Sequence, residues 1–197
     1  AEPERWLQPG AEPAAAPVEP GWEGQWLCPE TGLLARLEPR ADTVTLRFAT
    51  GAETLRQIAP GVLSSGETEV RRQGDRLEMR RLRDNLVTLM DPLPRIEAAD
   101  GAAIAGTYLC AETGSQMRLE ARDGAVFVLF SGHLGEGRME PVLPAGPDVW
   151  LIRTRRSMDA PAPGDWTLRI RRDAAERVLG AGLGCWLARG LDFNRQL

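Results

Sequence analysis

The densest grouping of side chains able to do chemistry in this sequence is Arg155, Arg156, Ser157, Met158 and Asp159, followed by Ala160, Pro161, Ala162, Pro163 and Gly164. Such a proline-stiffened excursion carries one carboxylate and two guanidinium groups, which can pair with opposite charges. Arg155 and Arg156 either brace the base of the excursion through carboxylate pairs or face water. The remaining inventory is thin. All 24 basic residues are arginine, which excludes a lysine of this chain as base, Schiff-base former or phosphate ligand. With one histidine, His133, and three distant cysteines, Cys28, Cys110 and Cys185, neither a zinc-ligand spacing nor a disulfide scaffold exists, and no cofactor is expected. Each cysteine sits in an apolar stretch and reads as a small buried hydrophobe in a reducing compartment, expected to be the cytoplasm.

The frame that must hold this excursion is readable from a duplication. Residues 24–48, GQWLCPETGLLARLEPRADTVTLRF, lie over residues 106–130, GTYLCAETGSQMRLEARDGAVFVLF, at a constant offset of 82 without a gap. Each copy alternates apolar and polar residues and is broken by turn residues, including an Asp-Gly between alternating runs, which is a strong hairpin signal. Further short runs (TEVRR, RLEMRRL, NLVTLM, DVWLIR, WTLRIRR, GCWLARGL) continue the series without a helical period. The chain is therefore expected to be all-β. Closing each unit into an antiparallel up-and-down barrel hides its edges, with a sandwich as the alternative. The expected organisation is an Ala/Pro-rich extended tether over 1–20, a first barrel over 21–98 and a second over 99–197, joined near Pro92 and Pro94.

Carried forward, the offset matches ETEVR (67–71) to VWLIR (149–153), and GDRLEMRR (74–81) to GDWTLRIRR (164–172) at an offset of 90. Eight surplus residues thus precede Gly164 in the second copy, where the first copy turns tightly through RQGD. A barrel does not need them, and surplus loop on a rigid scaffold is where function gathers. Pro161 and Pro163 fix φ and favour a preformed projection. Doubled back, it can reach about 15 Å from the rim.

Several runs, GQWLCPETGL, GPDVWL, RSMDAPAPGDW and GCWLARGLDF, closely resemble the two C-terminal domains of bacterial D-aminopeptidases, which belong to the penicillin-recognising serine hydrolases. The likeness covers residues 22–197. It implies two eight-stranded lipocalin-like barrels that follow a catalytic domain with a serine nucleophile in a Ser-x-x-Lys motif. It further implies that the loop 154–164 enters the catalytic cleft, shortens the pocket and favours peptides or amides with a free N-terminal D-residue. On this resemblance Asp159 meets the substrate's α-ammonium, with Arg155, Arg156, Ser157, Met158, Ala160, Pro161 and Pro163 as the surrounding substrate-binding loop. The lysine-free chain cannot itself carry that Ser-x-x-Lys centre, so no catalytic residue is expected within it. The implied partner is the catalytic domain, from the same precursor or as a separate chain; homo-oligomerisation stays open.

Two rival readings remain. Gly24-Gln25-Trp26 matches the Gly-x-Trp of lipocalins, so either barrel could hold a small ligand if hollow. Six arginines in RRQGDRLEMRRLR (71–83) could form a nucleic-acid hairpin, although no aromatic residues are interleaved for base stacking. A net charge of −4 predicts neither a nucleic-acid nor a membrane-surface protein. Residues 1–20 lack the basic start and unbroken apolar run of a signal peptide, and no stretch is long enough to span a bilayer. Ala1 in place of methionine reads as a processed or trimmed start.

Overall fold

Alternation with a period of two becomes strand wherever turn residues interrupt it. The computed structural model describes residues 17–49, 51–153, 164–186 and 188–196. Its first barrel consists of β1 (Gly24–Leu27), β2 (Leu34–Arg40), β3 (Thr43–Phe48), β4 (Gly51–Ala59), β5 (Val62–Ser64), β6 (Thr68–Gln73), β7 (Arg76–Arg81) and β8 (Leu86–Pro92). They pair antiparallel in sequence order. The ring closes through Trp26↔Pro92 and Leu27↔Asp91.

A one-turn helix, α1 (Gly101–Ile104), capped by the Asp100 carboxylate, opens the second unit. It is followed by β9 (Gly106–Cys110), β10 (Ser115–Arg122), β11 (Ala125–Gly132), β12 (Gly135–Glu136), β13 (Glu140–Gly146), β14 (Val149–Ile152), β15 (Trp166–Arg172), β16 (Val178–Gly184) and β17 (Leu191–Arg195). Eight of these close a second up-and-down barrel, because β10 pairs with both β9 and β11 and β17 pairs with β9. The short β12 only extends the rim beside β11.

Both interiors are filled by side chains. Trp22, Leu37, Leu46, Leu55, Met79 and Met90 pack together in the first barrel, and Tyr108, Met117, Val128, Leu168 and Phe193 in the second. Buried polar tips find partners, as burial requires. Trp26 Nε1 donates to the Asp75 carbonyl at 2.9 Å. Tyr108 Oη donates to the Ile104 carbonyl at 2.6 Å, and burial raises this phenol's pKa despite the opposing Arg195. A packed interior leaves the lipocalin-type ligand reading without its calyx. All three cysteines are buried and free, and Trp166 lies edge-on to Phe130 at 5.8 Å against the second core.

The last residues of the expected tether are pinned to the first barrel. Val18 packs on its core, the Glu19 carboxylate accepts from Gly61 N–H at 3.0 Å, and Arg72 donates to the Pro20 carbonyl. Residues 1–16, the rest of that expectation, lie outside the described residues.

The basic hairpin is neutralised. Arg71 pairs with Glu69, Arg76 with Asp91, Arg80 with Glu78, Arg81 with Glu53 and Asp84, and Arg83 with Glu67. Arg72 stacks on Trp22 at 4.1 Å. These pairs remove the bare basic stripe that a phosphate backbone would need.

Two expectations from the sequence are corrected. TEVR of ETEVR lies in β6, the sixth strand of its barrel, whereas VWLI of VWLIR forms β14, the fifth strand of the other. The counterpart of the second barrel's 153–165 connection is therefore the three-residue step 65–67, not RQGD. The contrast between short and long connections survives at this corrected position. GCWLARGL is not a strand: it is the turn between β16 and β17, held by Cys185 N–H on the Ala188 carbonyl at 2.8 Å and by Ala188 N–H on Cys185 Sγ at 3.3 Å. Trp186 within it serves a contact with the other barrel, not an alternating strand face.

Candidate functional site

The surplus loop springs from a strand buried on both faces. Along β14, Trp150 and Ile152 point into the second barrel's core. Val149 and Leu151 point the other way, into an inter-barrel cluster with Leu34, Ala145, Leu27 and Leu93. A strand packed on two sides has little freedom, so its C-terminal end is a firm origin for a projection.

The return is equally constrained. Gly164 has φ of +88°, and a Cβ there would overlap the Ala49 carbonyl oxygen of the first barrel. Only glycine meets both demands. Asp165 then lines the seam between the barrels with Leu34, Arg36, Arg47, Phe48, Leu151 and Thr167. Entry and exit of the loop thus lie at the junction of the two barrels, not on a free rim.

Further contacts fix that junction. Gln25 Nε2 donates to the Ala145 carbonyl, and Arg169 donates to the Pro29 carbonyl at 2.9 Å. A Cβ at Gly184 would lie 2.8 Å from the Thr31 carbonyl oxygen, so this glycine admits the first barrel's backbone. Trp186, from the turn after β16, packs against the first barrel's core. It lies edge-on to Phe48 with centroids 6.0 Å apart, between Arg81 at 5.5 Å and Arg189 at 4.7 Å.

Arg36, Glu38 and Arg95 line a cleft of about 260 Å³ beside the seam, together with Gln25, Ile96, Pro144 and Ala145. Burial, reinforced by Arg153 and Arg95 and opposed by Asp165 and Glu38, holds the Arg36 pKa below the ordinary arginine value. Sequence reasoning passed over Arg36, Asp165 and Trp186. A signal existed for Arg36: its cross-strand neighbour Arg47 is replaced in the second copy by Leu129, opposite Arg118.

Asp159, Arg155, Arg156, Ser157, Met158, Ala160, Pro161 and Pro163, the expected substrate-binding residues, all lie outside the described residues. The structure fixes the loop's roots, Arg153 and Gly164 to Trp166. Removing residues 157–163 is expected to leave the melting temperature within about 3 °C, since a three-residue step closes the equivalent position in the first barrel. A thermal denaturation scan of the shortened chain checks this.

Among the described residues no three His, Cys, Asp or Glu side chains are grouped to hold a metal ion. No helix among them is long and apolar enough to cross a membrane.

Fold and junction together define a tandem of side-chain-filled barrels whose distinguishing element is one long loop rooted between them. The family described as D-aminopeptidase, domain B, matches residues 15–194, and the chain belongs to that family. It is 50% identical over 175 residues to a D-aminopeptidase of Cereibacter sphaeroides (strain KD131 / KCTC 12085), covering 89% of this chain and 34% of that protein. To a D-aminopeptidase of Brucella ovis it is 42% identical over 188 residues, covering 95% of this chain and 36% of that protein. The chain therefore spans about a third of the length of these curated relatives.

Proposed function

We propose that this chain is the non-catalytic C-terminal part of a D-stereospecific aminopeptidase, and that loop 154–164 shapes the substrate pocket of a serine-hydrolase catalytic domain. That domain is joined upstream or docks as a separate chain. Its substrates are peptides or amides with a free N-terminal D-residue, whose ammonium Asp159 recognises. The cytoplasm suits a chain with three unpaired, buried thiols.

One observation carries this reading: both sides of the loop are clamped, the strand that enters it by Leu151 at the barrel junction and Ile152 in the second core, and its return at Gly164 by the Ala49 backbone. A loop that only closed a barrel would need no such support. Binding and specificity elements work best on rigid scaffolds, because ordering costs are then met before the ligand arrives. The absence of lysine keeps this chain from supplying a Ser-x-x-Lys centre, which supports placing the nucleophile and its base in another part of the protein.

The test is an amidase assay on D-alanine amide. The 197-residue chain alone is expected to show no turnover above buffer, and activity should appear when the catalytic portion is supplied covalently or in trans. Turnover by the isolated chain would refute the non-catalytic assignment. Equal turnover by the catalytic portion with and without this chain would refute the pocket-shaping role.

A further inference from the structure

The duplication provides an internal comparison that singles out Arg36. In the second barrel its counterpart Arg118 sits across from Leu129 and pairs with Glu120 at 3.1 Å. In the first barrel Arg36 sits across from Arg47, and Arg47 has taken the equivalent carboxylate, Glu38, at 3.0 Å. Arg36 is left without a hydrogen-bonded or ion-paired partner among the described residues, and its Nε is buried. Like charges directly opposite one another on a sheet are destabilising, and a buried guanidinium nitrogen without an acceptor is more so.

The surroundings do not relieve this. Arg95, which lines the same cleft, is held only loosely by Glu23 at 3.4 Å with both side chains more than half exposed. The cleft that Arg36 and Arg95 share, about 260 Å³, is lined also by Gln25, by Glu38, whose carboxylate is engaged by Arg47, and by the apolar surfaces of Ile96, Pro144 and Ala145. Arg153 and Asp165 lie within electrostatic reach. With Glu38 taken by Arg47 and Glu23 by Arg95, the four arginines Arg36, Arg47, Arg95 and Arg153 meet three carboxylates, and Arg36 is the one in the cleft without a direct partner among the described residues.

We propose that this inter-barrel cleft is a carboxylate-binding site, in which Arg36 receives the anion, Arg95 assists from the same cleft, and Ile96 and Pro144 cover a short apolar stem. The planar guanidinium suits a carboxylate, which accepts two parallel N–H bonds. The volume suits a single terminal residue or acidic side chain, not an extended polymer. Two sources share this chemistry: the C-terminal carboxylate of a peptide, or an acidic side chain from the part of the protein outside this chain. The site is distinct from the loop's recognition of an amine and stands without it.

The probe is the Arg36 Nε–Hε resonance of the isotopically labelled chain, titrated with sodium acetate, with N-acetyl-dialanine and with N-acetyl-dialanine amide, against sodium chloride at matched ionic strength. A saturable shift is expected with both carboxylates, with a dissociation constant on the order of 1 mM, and none with the amide. With the Arg95 resonance as reporter, Arg36→Gln should weaken acetate binding about tenfold and Arg95→Gln, followed at Arg36, about threefold. Arg95 is exposed, so its replacement leaves the fold intact even if Arg36→Gln does not. Repeating the acetate titration on the complete protein separates the sources. A renewed shift means that a free ligand uses the cleft, and a resonance already at the saturated position means that an internal carboxylate fills it. No shift with acetate in the isolated chain, an equal shift with the amide, or acetate binding that Arg95→Gln leaves unchanged overturns the proposal.

Discussion

In the complete enzyme, Asp159→Asn is expected to lower kcat/KM for D-alanine amide by roughly 30- to 1000-fold, while an N-acylated D-alanine amide changes by less than about threefold. The asymmetry follows from charge. Asparagine keeps the size and can still accept a hydrogen bond, but it no longer offsets the desolvation of an ammonium carried into a partly dry pocket. An acylated substrate brings no ammonium, so it loses nothing. Because neither substrate's reacting carbonyl touches the loop in this account, the loss should appear for the amine alone. Equal losses on both substrates would show that the residue supports the pocket's shape instead of reading the substrate's charge.

Trp186→Ala is expected to cost about 2–4 kcal/mol, and the loss should fall on the first barrel although the substitution lies in the second. Complete truncation of a buried tryptophan costs about 3–5 kcal/mol, and Trp186 is only partly buried. Its edge-on contact with Phe48 and its position between Arg81 and Arg189 add directional terms of roughly 0.5–1.5 kcal/mol each. Denaturant unfolding should resolve into two transitions, with the earlier one belonging to the first barrel. A double-mutant cycle with Phe48→Ala should return a coupling of about 0.5–1.5 kcal/mol. A cost below about 0.5 kcal/mol would mean that Trp186 does not hold the barrels together.

The contrast between these two residues shows what a sequence displays. Strands β2, β3, β10 and β11 were legible because Leu37, Val44 and Leu46, and likewise Met117, Leu119 and Val128, alternate with polar residues and face a single core. Strand β14 was legible as apolar, yet its two-sided burial was not, since only the neighbouring barrel explains why Val149 and Leu151 are apolar. Strand β16, VLGAGLG, was missed because glycine is poor in strands. Here close approach selects it: a Cβ at Gly180 would meet Arg171 and the Phe193 carbonyl, and one at Gly184 the Thr31 carbonyl. The misreading of GCWLARGL has the same origin, since Trp186 is apolar for a partner in the other barrel.

The equivalence of the two copies slipped for a related reason. Beyond β4 the repeats differ in strand length, and a five-residue β pattern ending in arginine occurs one strand apart in each. Pairing, not pattern, assigns β14 to the fifth position. Arg36 was hidden more deeply. Its lack of a partner among the described residues depends on Arg47 claiming Glu38 across the sheet, and no spacing rule reveals which of two arginines wins a shared carboxylate.

The central claim is that the second barrel's long loop acts on a pocket belonging to another part of the protein. It is tested most directly in the complete enzyme lacking residues 157–163, by the ratio of kcat/KM for D-alanine amide to that for its N-acylated analogue. The account predicts that this ratio falls at least about tenfold while the barrels keep their melting temperature. A ratio equal to that of the intact enzyme would contradict it.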